Sequence, residues 1–164
     1  MKKWLGTICS AAVAVLAFVF LSIPQFVMKA DALDMRQTYS LWDTLTEENT
    51  VLFEELSGYG FYKFAAIALI VVACLLAVWA VVLLLQNLNV LKLKFNLALV
   101  NNILLAVAAV LAICALIALF VMGGDALEGV PAEFEAFAGP SWGAWLNAAV
   151  GVVAAACGWV FARE

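Results

Sequence analysis

The chain has 164 residues, of which 68% are hydrophobic and 12% charged, with a formal net charge of −4 and no histidine. Soluble domains are roughly half apolar and about a quarter charged, and a water-soluble fold of this length has too little interior to hide so much apolar surface. The composition therefore excludes a water-soluble globule, and the missing histidine removes the usual haem ligand, the commonest metal ligand and the commonest general base together.

Four apolar segments follow in chain order, at about 4–23, 61–85, 95–122 and 142–162. Each is long enough to cross roughly 30 Å of hydrocarbon as a helix. None contains Asp, Glu, Lys or Arg except for Lys63, in the first turn of the second segment, from where its amine reaches the membrane surface. Helix is the expected state because an apolar run in lipid has no other way to satisfy its backbone, and the alternation of a barrel strand is absent. Pro24 stops the first segment, Gly123-Gly124 follows the third, and Pro140-Ser141 precedes the fourth. Trp4 and Trp159 fall at one interface and Trp142 and Trp145 at the other, where indoles prefer to lie; Trp79, inside the second segment, reads as packing.

Basic residues set the expected orientation. Lys2, Lys3, Lys92, Lys94 and Arg163 fall on one side; Lys29, Arg36 and Lys63 fall on the other, together with eleven of the twelve acidic residues. The short Lys-bearing turn near residues 88–94 is then cytoplasmic. The expected architecture is an all-α membrane protein. It is a single four-transmembrane-helix bundle with N- and C-termini cytoplasmic, short helices in its outer loops (about 24–60 and 123–141), and a place in the plasma (inner) membrane.

Met1-Lys2-Lys3, the apolar run and Ala30-Asp31-Ala32 also fit a secretory signal with an A-x-A cleavage site, which would leave three spans. The 20-residue run exceeds the usual core of about 7–15, and Lys29 sits directly before the site, so retention is the reading taken.

In the first outer loop, Thr44-Leu45-Thr46-Glu47 fits a capping box opening a short helix that Ser57-Gly58 would close. Tyr39 and Trp42 precede it as anchors, and Tyr39, Leu41 and Trp42 are the candidate partner-binding residues. In the second loop, Pro131 at a first helical position, with Val130 and Phe134 at staple spacing, suggests one or two helical turns. The acidic loops lack the D-x-[DN]-x-[DN]-G calcium pattern and read as a solvated surface.

Helices in lipid associate through small residues. Ala66, Ala73 and Ala80 repeat every seven residues in the second span, Ala108, Ala112 and Ala115 line the third, and Gly143, Asn147, Gly151 and Ala155 step by four in the fourth. These seams suit a left-handed bundle, although the Gly151–Ala155 ridge could instead serve a partner chain. Asn101 and Asn102 lie about two turns from the cytoplasmic face and Asn147 about as far from the outer one, too far apart for one site. Interhelical hydrogen bonds account for them. Cys9, Cys74, Cys114 and Cys157 all fall in apolar segments with no C-x-x-C spacing and act as small hydrophobes.

No titratable group stands in the membrane for proton-coupled transport, and neither a phosphate-binding loop nor a nucleophile elbow is present. Four spans, cytoplasmic termini, and a large first outer loop with a smaller second one resemble the claudin-like tetraspan arrangement, and Ser40-Leu41-Trp42 is similar to the Gly-Leu-Trp of that family's first loop. The paired loop cysteines of that family are absent here, and a helical loop is expected where the family has strands. The start Met-Lys-Lys and the lack of an N-x-[ST] sequon suit a bacterial protein.

The expected function is that of a non-enzymatic tetraspan scaffold, accessory subunit or adhesion-type protein acting through its acidic first outer loop. Its expected partners are the lipid bilayer and another membrane or surface protein, with a homo-oligomer as a further option; no nucleic acid, cofactor or metal is expected. The competing expectation is a transport or lipid-handling component with a neutral path between the helices.

Overall fold

A computed structural model describes residues 2–94 and 96–161. Four long helices dominate it: α1 (Lys2–Phe20), with β1 (Pro24–Ala30), β2 (Met35–Ser40), α2 (Leu41–Leu45) and α3 (Glu47–Glu54) after it, then α4 (Tyr59–Asn87), α5 (Leu97–Ala126), β3 (Ala136–Pro140) and α6 (Trp142–Phe161). The expected span limits at Phe95 and Ala162, and the charges of Arg163 and Glu164, lie outside the described residues. By length and composition α4, α5 and α6 are able to cross a membrane, while the described apolar part of α1, Trp4–Val19, is shorter. This is a multi-pass membrane protein.

The long helices form a ring in which α1 packs on α4 and α6, and α5 on α4 and α6. Small residues set these approaches. Ala66, Ala73 and Ala80 are buried along α4, as are Ala108, Ala112 and Ala115 along α5. On α6 a Cβ placed on Gly151 would stand 3.3 Å from the Ala109 Cα, while Ala155 is half-buried. The α6 ridge thus faces its own bundle at Gly151.

Two boundaries depart from the sequence expectation. α1 ends at Phe20, before Pro24, because the chain turns into β1 at that proline. α5 continues through Gly123-Gly124 to Ala126. Gly123 is there for contact rather than termination: a Cβ on it would lie 2.6 Å from the Ala138 carbonyl carbon and 2.8 Å from the Gly139 Cα. Only glycine lets β3 cross the helix backbone that closely.

The largest correction concerns the loops. The expected all-α chain carries a three-stranded antiparallel sheet in the order β2-β1-β3, built from both loops. β1 is its centre, with Met28 opposite Gln37 on one side and Ala138 on the other. The hairpin turns through a 3-10 segment, Asp31–Leu33, and Asp34 in the left-handed region at φ 49°, a conformation that aspartate tolerates better than most residues. The second loop holds no α-helix. Pro131 precedes a single 3-10 turn, Ala132–Phe134, and the chain then extends into β3.

Candidate functional site

The two loops build a polar headpiece on the bundle end where α1 finishes and α4 begins. Phe53, on α3, is its pivot. Fully buried, it meets the Phe26 and Tyr39 rings edge-on at 5.9 and 5.0 Å and stacks on Tyr59 at 5.9 Å. One aromatic side chain therefore ties α3 to β1, β2 and α4, and such pairs add stability beyond the area they bury.

Hydrogen bonds fix the rest. Ser40 caps α2 in a reciprocal box with Asp43: the Asp43 amide donates to Ser40 Oγ at 3.2 Å, and the Ser40 amide donates to Asp43 Oδ2 at 2.8 Å. The box expected at Thr44–Glu47 is thus misplaced: Ser40–Asp43 opens a separate helix, Thr44 lies inside it, and α3 begins only after Thr46. Thr44 is fully buried inside α2, where its hydroxyl donates to the Leu41 carbonyl at 2.8 Å and its own carbonyl accepts from the Tyr59 hydroxyl at 2.7 Å. Thr46 precedes α3 and its hydroxyl donates to the Asp43 carbonyl at 3.2 Å.

Gly58, expected to close α3, opens α4 instead. It holds φ +87°, and a Cβ there would also stand 3.2 Å from Val121. Beside it, the Ser57 amide donates to Asp125 Oδ2 at 2.7 Å, joining the first loop to the end of α5.

The same end clamps α1 and α6 to the sheet. The Trp42 amide donates to the Leu21 carbonyl at 3.0 Å, and the Ser141 amide donates to the Gln25 carbonyl at 2.7 Å. Gly143 lies so close to the Ile23–Gln25 chain that an added Cβ would be 2.9 Å from Gln25 Nε2.

The three candidate partner-binding residues occupy different environments. Leu41 is buried, Tyr39 is half-buried against Phe53 with its hydroxyl donating to Gln37 Oε1 at 2.7 Å, and the Trp42 side chain is 61% exposed. Burial pushes the Tyr39 phenol above the usual tyrosine range, so it remains a neutral donor at physiological pH. Only Trp42 of the three presents a large apolar surface outward. Val51 and Leu52 on α3 do the same, at 73% and 60% exposure.

The candidate interhelical asparagines also separate. Asn101, buried on α5, accepts from the Ser10 hydroxyl and donates to the Gly6 carbonyl at 3.4 Å, so it links α5 to α1. Asn102 is buried beside Gly158 of α6, where a Cβ would meet its Oδ1 at 2.7 Å. Asn147 is half-buried on α6 with no hydrogen-bond partner among the described residues.

Sequence reasoning missed Ser10, Thr7 and Asn87; the last donates to the Thr7 hydroxyl at 3.3 Å. Their signal was a polar residue within or at the end of an apolar run. Among the described residues no group of three or more His, Cys, Asp or Glu could hold a metal ion. No family model, curated protein or solved structure matches the chain.

Proposed function

We propose that the chain is a four-span plasma-membrane protein with cytoplasmic termini that works by interaction, as a scaffold, accessory subunit or adhesion-type protein, through the headpiece. The observation that carries this reading is the construction of the headpiece. Two loops far apart in sequence are joined into one sheet and pinned by Phe53, while Trp42, Val51 and Leu52 are left exposed on its helices. A rigid frame with outward apolar side chains is suited to binding another protein, since ordering costs are met before the encounter.

Retention of α1, and hence four spans, is supported by the sheet. Cleavage after Ala32 would remove β1, the central strand, and leave β2 and β3 without a common neighbour. It would also remove Ser10 and Gly6, the partners of Asn101. Strands in the first loop support the resemblance to claudin-like tetraspans, the family that has strands there. The close seams at Gly151 and Gly158 count against a neutral path between the helices.

The test is Trp42→Ala, with recovery of partners by crosslinking in native membranes as the readout. Loss of a specific partner with insertion and headpiece intact is expected; unchanged recovery from this variant and from one with Val51 and Leu52 replaced by Ser would sink the reading.

A further inference from the structure

The sheet has one edge that none of the described residues covers. β3 lies along α5, with Ala138 against Gly123, whereas β2 touches chiefly β1, the hairpin turn and the helix that follows it. From Met35 to Thr38 every residue is exposed. Among the described residues no backbone–backbone bond outside the sheet reaches β2; the Ser40 amide is held by Asp43, and the outward amides and carbonyls from Met35 to Tyr39 are open. Such an edge is a template for another strand unless it is blunted. β2 contains neither proline nor glycine, and the register shift in its pairing lies at the far end, between Pro24 and Phe26.

The charges on this edge are informative. Arg36 stands directly opposite Lys29 on β1, and Lys29 stands opposite Phe137 on β3, so the three side chains form one row on one sheet face. Like charges opposite one another destabilise a strand pair. Lys29 is accommodated within the chain: its amine is 3.0 Å from Asp31 Oδ2 and 5.9 Å from the centre of the Phe137 ring. Arg36 is not, having no ion pair or hydrogen bond from its side chain among the described residues. The next position in its row, across the open edge, is empty.

We infer that β2 accepts an extended segment of a partner protein as a fourth strand, with a carboxylate of that segment opposite Arg36. This rests on the interaction reading above and names the partner's chemistry. A second copy of this chain fits less well, because β2 carries no acidic residue to set against Arg36. A polyacidic segment is also disfavoured, since Asp31, Asp34, Glu133 and Glu135 are all exposed at the adjoining turns. The fitting strand carries one carboxylate among neutral, β-prone residues.

The test uses the purified full chain in mild detergent and two synthetic six-residue strands of Thr and Val, one with a central Glu and one with Lys in its place. Hydrogen exchange of amides 35–39 is followed as each is added. The Glu strand should protect these amides at about fivefold lower concentration than the Lys strand, and Arg36→Glu should reverse the preference while exchange in α4 and α5 stays unchanged. Absence of protection overturns the proposal, as does equal protection by both strands that ignores Arg36→Glu. Protection that grows with the concentration of the chain alone also overturns it, because the edge would then belong to a second copy. If strand addition fails while Trp42→Ala still removes a partner, the interaction reading stands without it.

Discussion

The two ends of the bundle are stabilised in different ways. At the loop end the core is large and aromatic, with Phe26, Phe53, Tyr59 and Tyr62 around Leu119 and Met122, and hydroxyls tie it to backbone carbonyls. Toward the other end the core is small and aliphatic, with Ala14, Ala108, Ala112 and Ala154 around Leu76 and Leu105, and its polar links include the Ser10–Asn101 and Thr7–Asn87 pairs. Near water, irregular backbone can fold only if side chains of high volume and direction hold it. Within lipid, burial itself contributes little, and close approach of helix backbones takes its place.

This contrast gives ordered expectations for unfolding in mixed detergent micelles. Phe53→Ala should have the largest effect, about 3–5 kcal/mol, and should speed exchange across the sheet while leaving mid-helix amides of α5 untouched. Loss of α5 protection in step with the sheet would break the division between the two ends. Gly123→Val comes next at about 1–3 kcal/mol, since the added Cβ meets backbone rather than a movable side chain; it should loosen β3 first. Ser40→Ala should cost about 1 kcal/mol through loss of the α2 cap and should be read in the exchange of residues 40–45. Asn101→Leu should be smallest, about 0.6 kcal/mol. A cost for Asn101→Leu matching that of Phe53→Ala would place the dominant interaction in the membrane half and contradict the comparison.

The long helices and their seams were legible in the sequence, for the same physical reason, although α1 stops short of Ile23 and α5 runs on to Ala126. A helix in lipid satisfies its own backbone, so hydrophobic length announces its presence and small-residue spacing its seams. Ala66, Ala73 and Ala80 were placed on a packing face by their spacing alone, and they are buried there. The headpiece was not legible, because its order comes from contacts distant in sequence. β1 and β3 are more than a hundred residues apart in the chain, and the exposed hairpin tip shows no alternation of apolar and polar residues to betray it. Of the two S/T-x-x-D/E patterns, the one at Ser40 opens α2, whereas Thr44 falls inside that helix and α3 begins only after Thr46. Thr44 is buried, with its hydroxyl turned to the Leu41 carbonyl and to Tyr62, a partner 18 residues on that the local pattern does not announce. Trp42 stands out in the sequence and Phe53 does not: an indole beside a turn is conspicuous, whereas a single phenylalanine in an acidic helix looks incidental until three other rings surround it.

Joining the ends into one body requires that α1 and β1 remain part of the mature chain. The most direct measurement is peptide mapping of the protein extracted from membranes. Trypsin cuts after Lys29 and Arg36, so peptide 30–36 contains the Ala32–Leu33 bond. Recovery of that peptide intact, with peptides upstream of it, is the expected result. A peptide beginning at Leu33, with nothing recovered before it, would contradict the account: β1 would be gone, and with it the sheet.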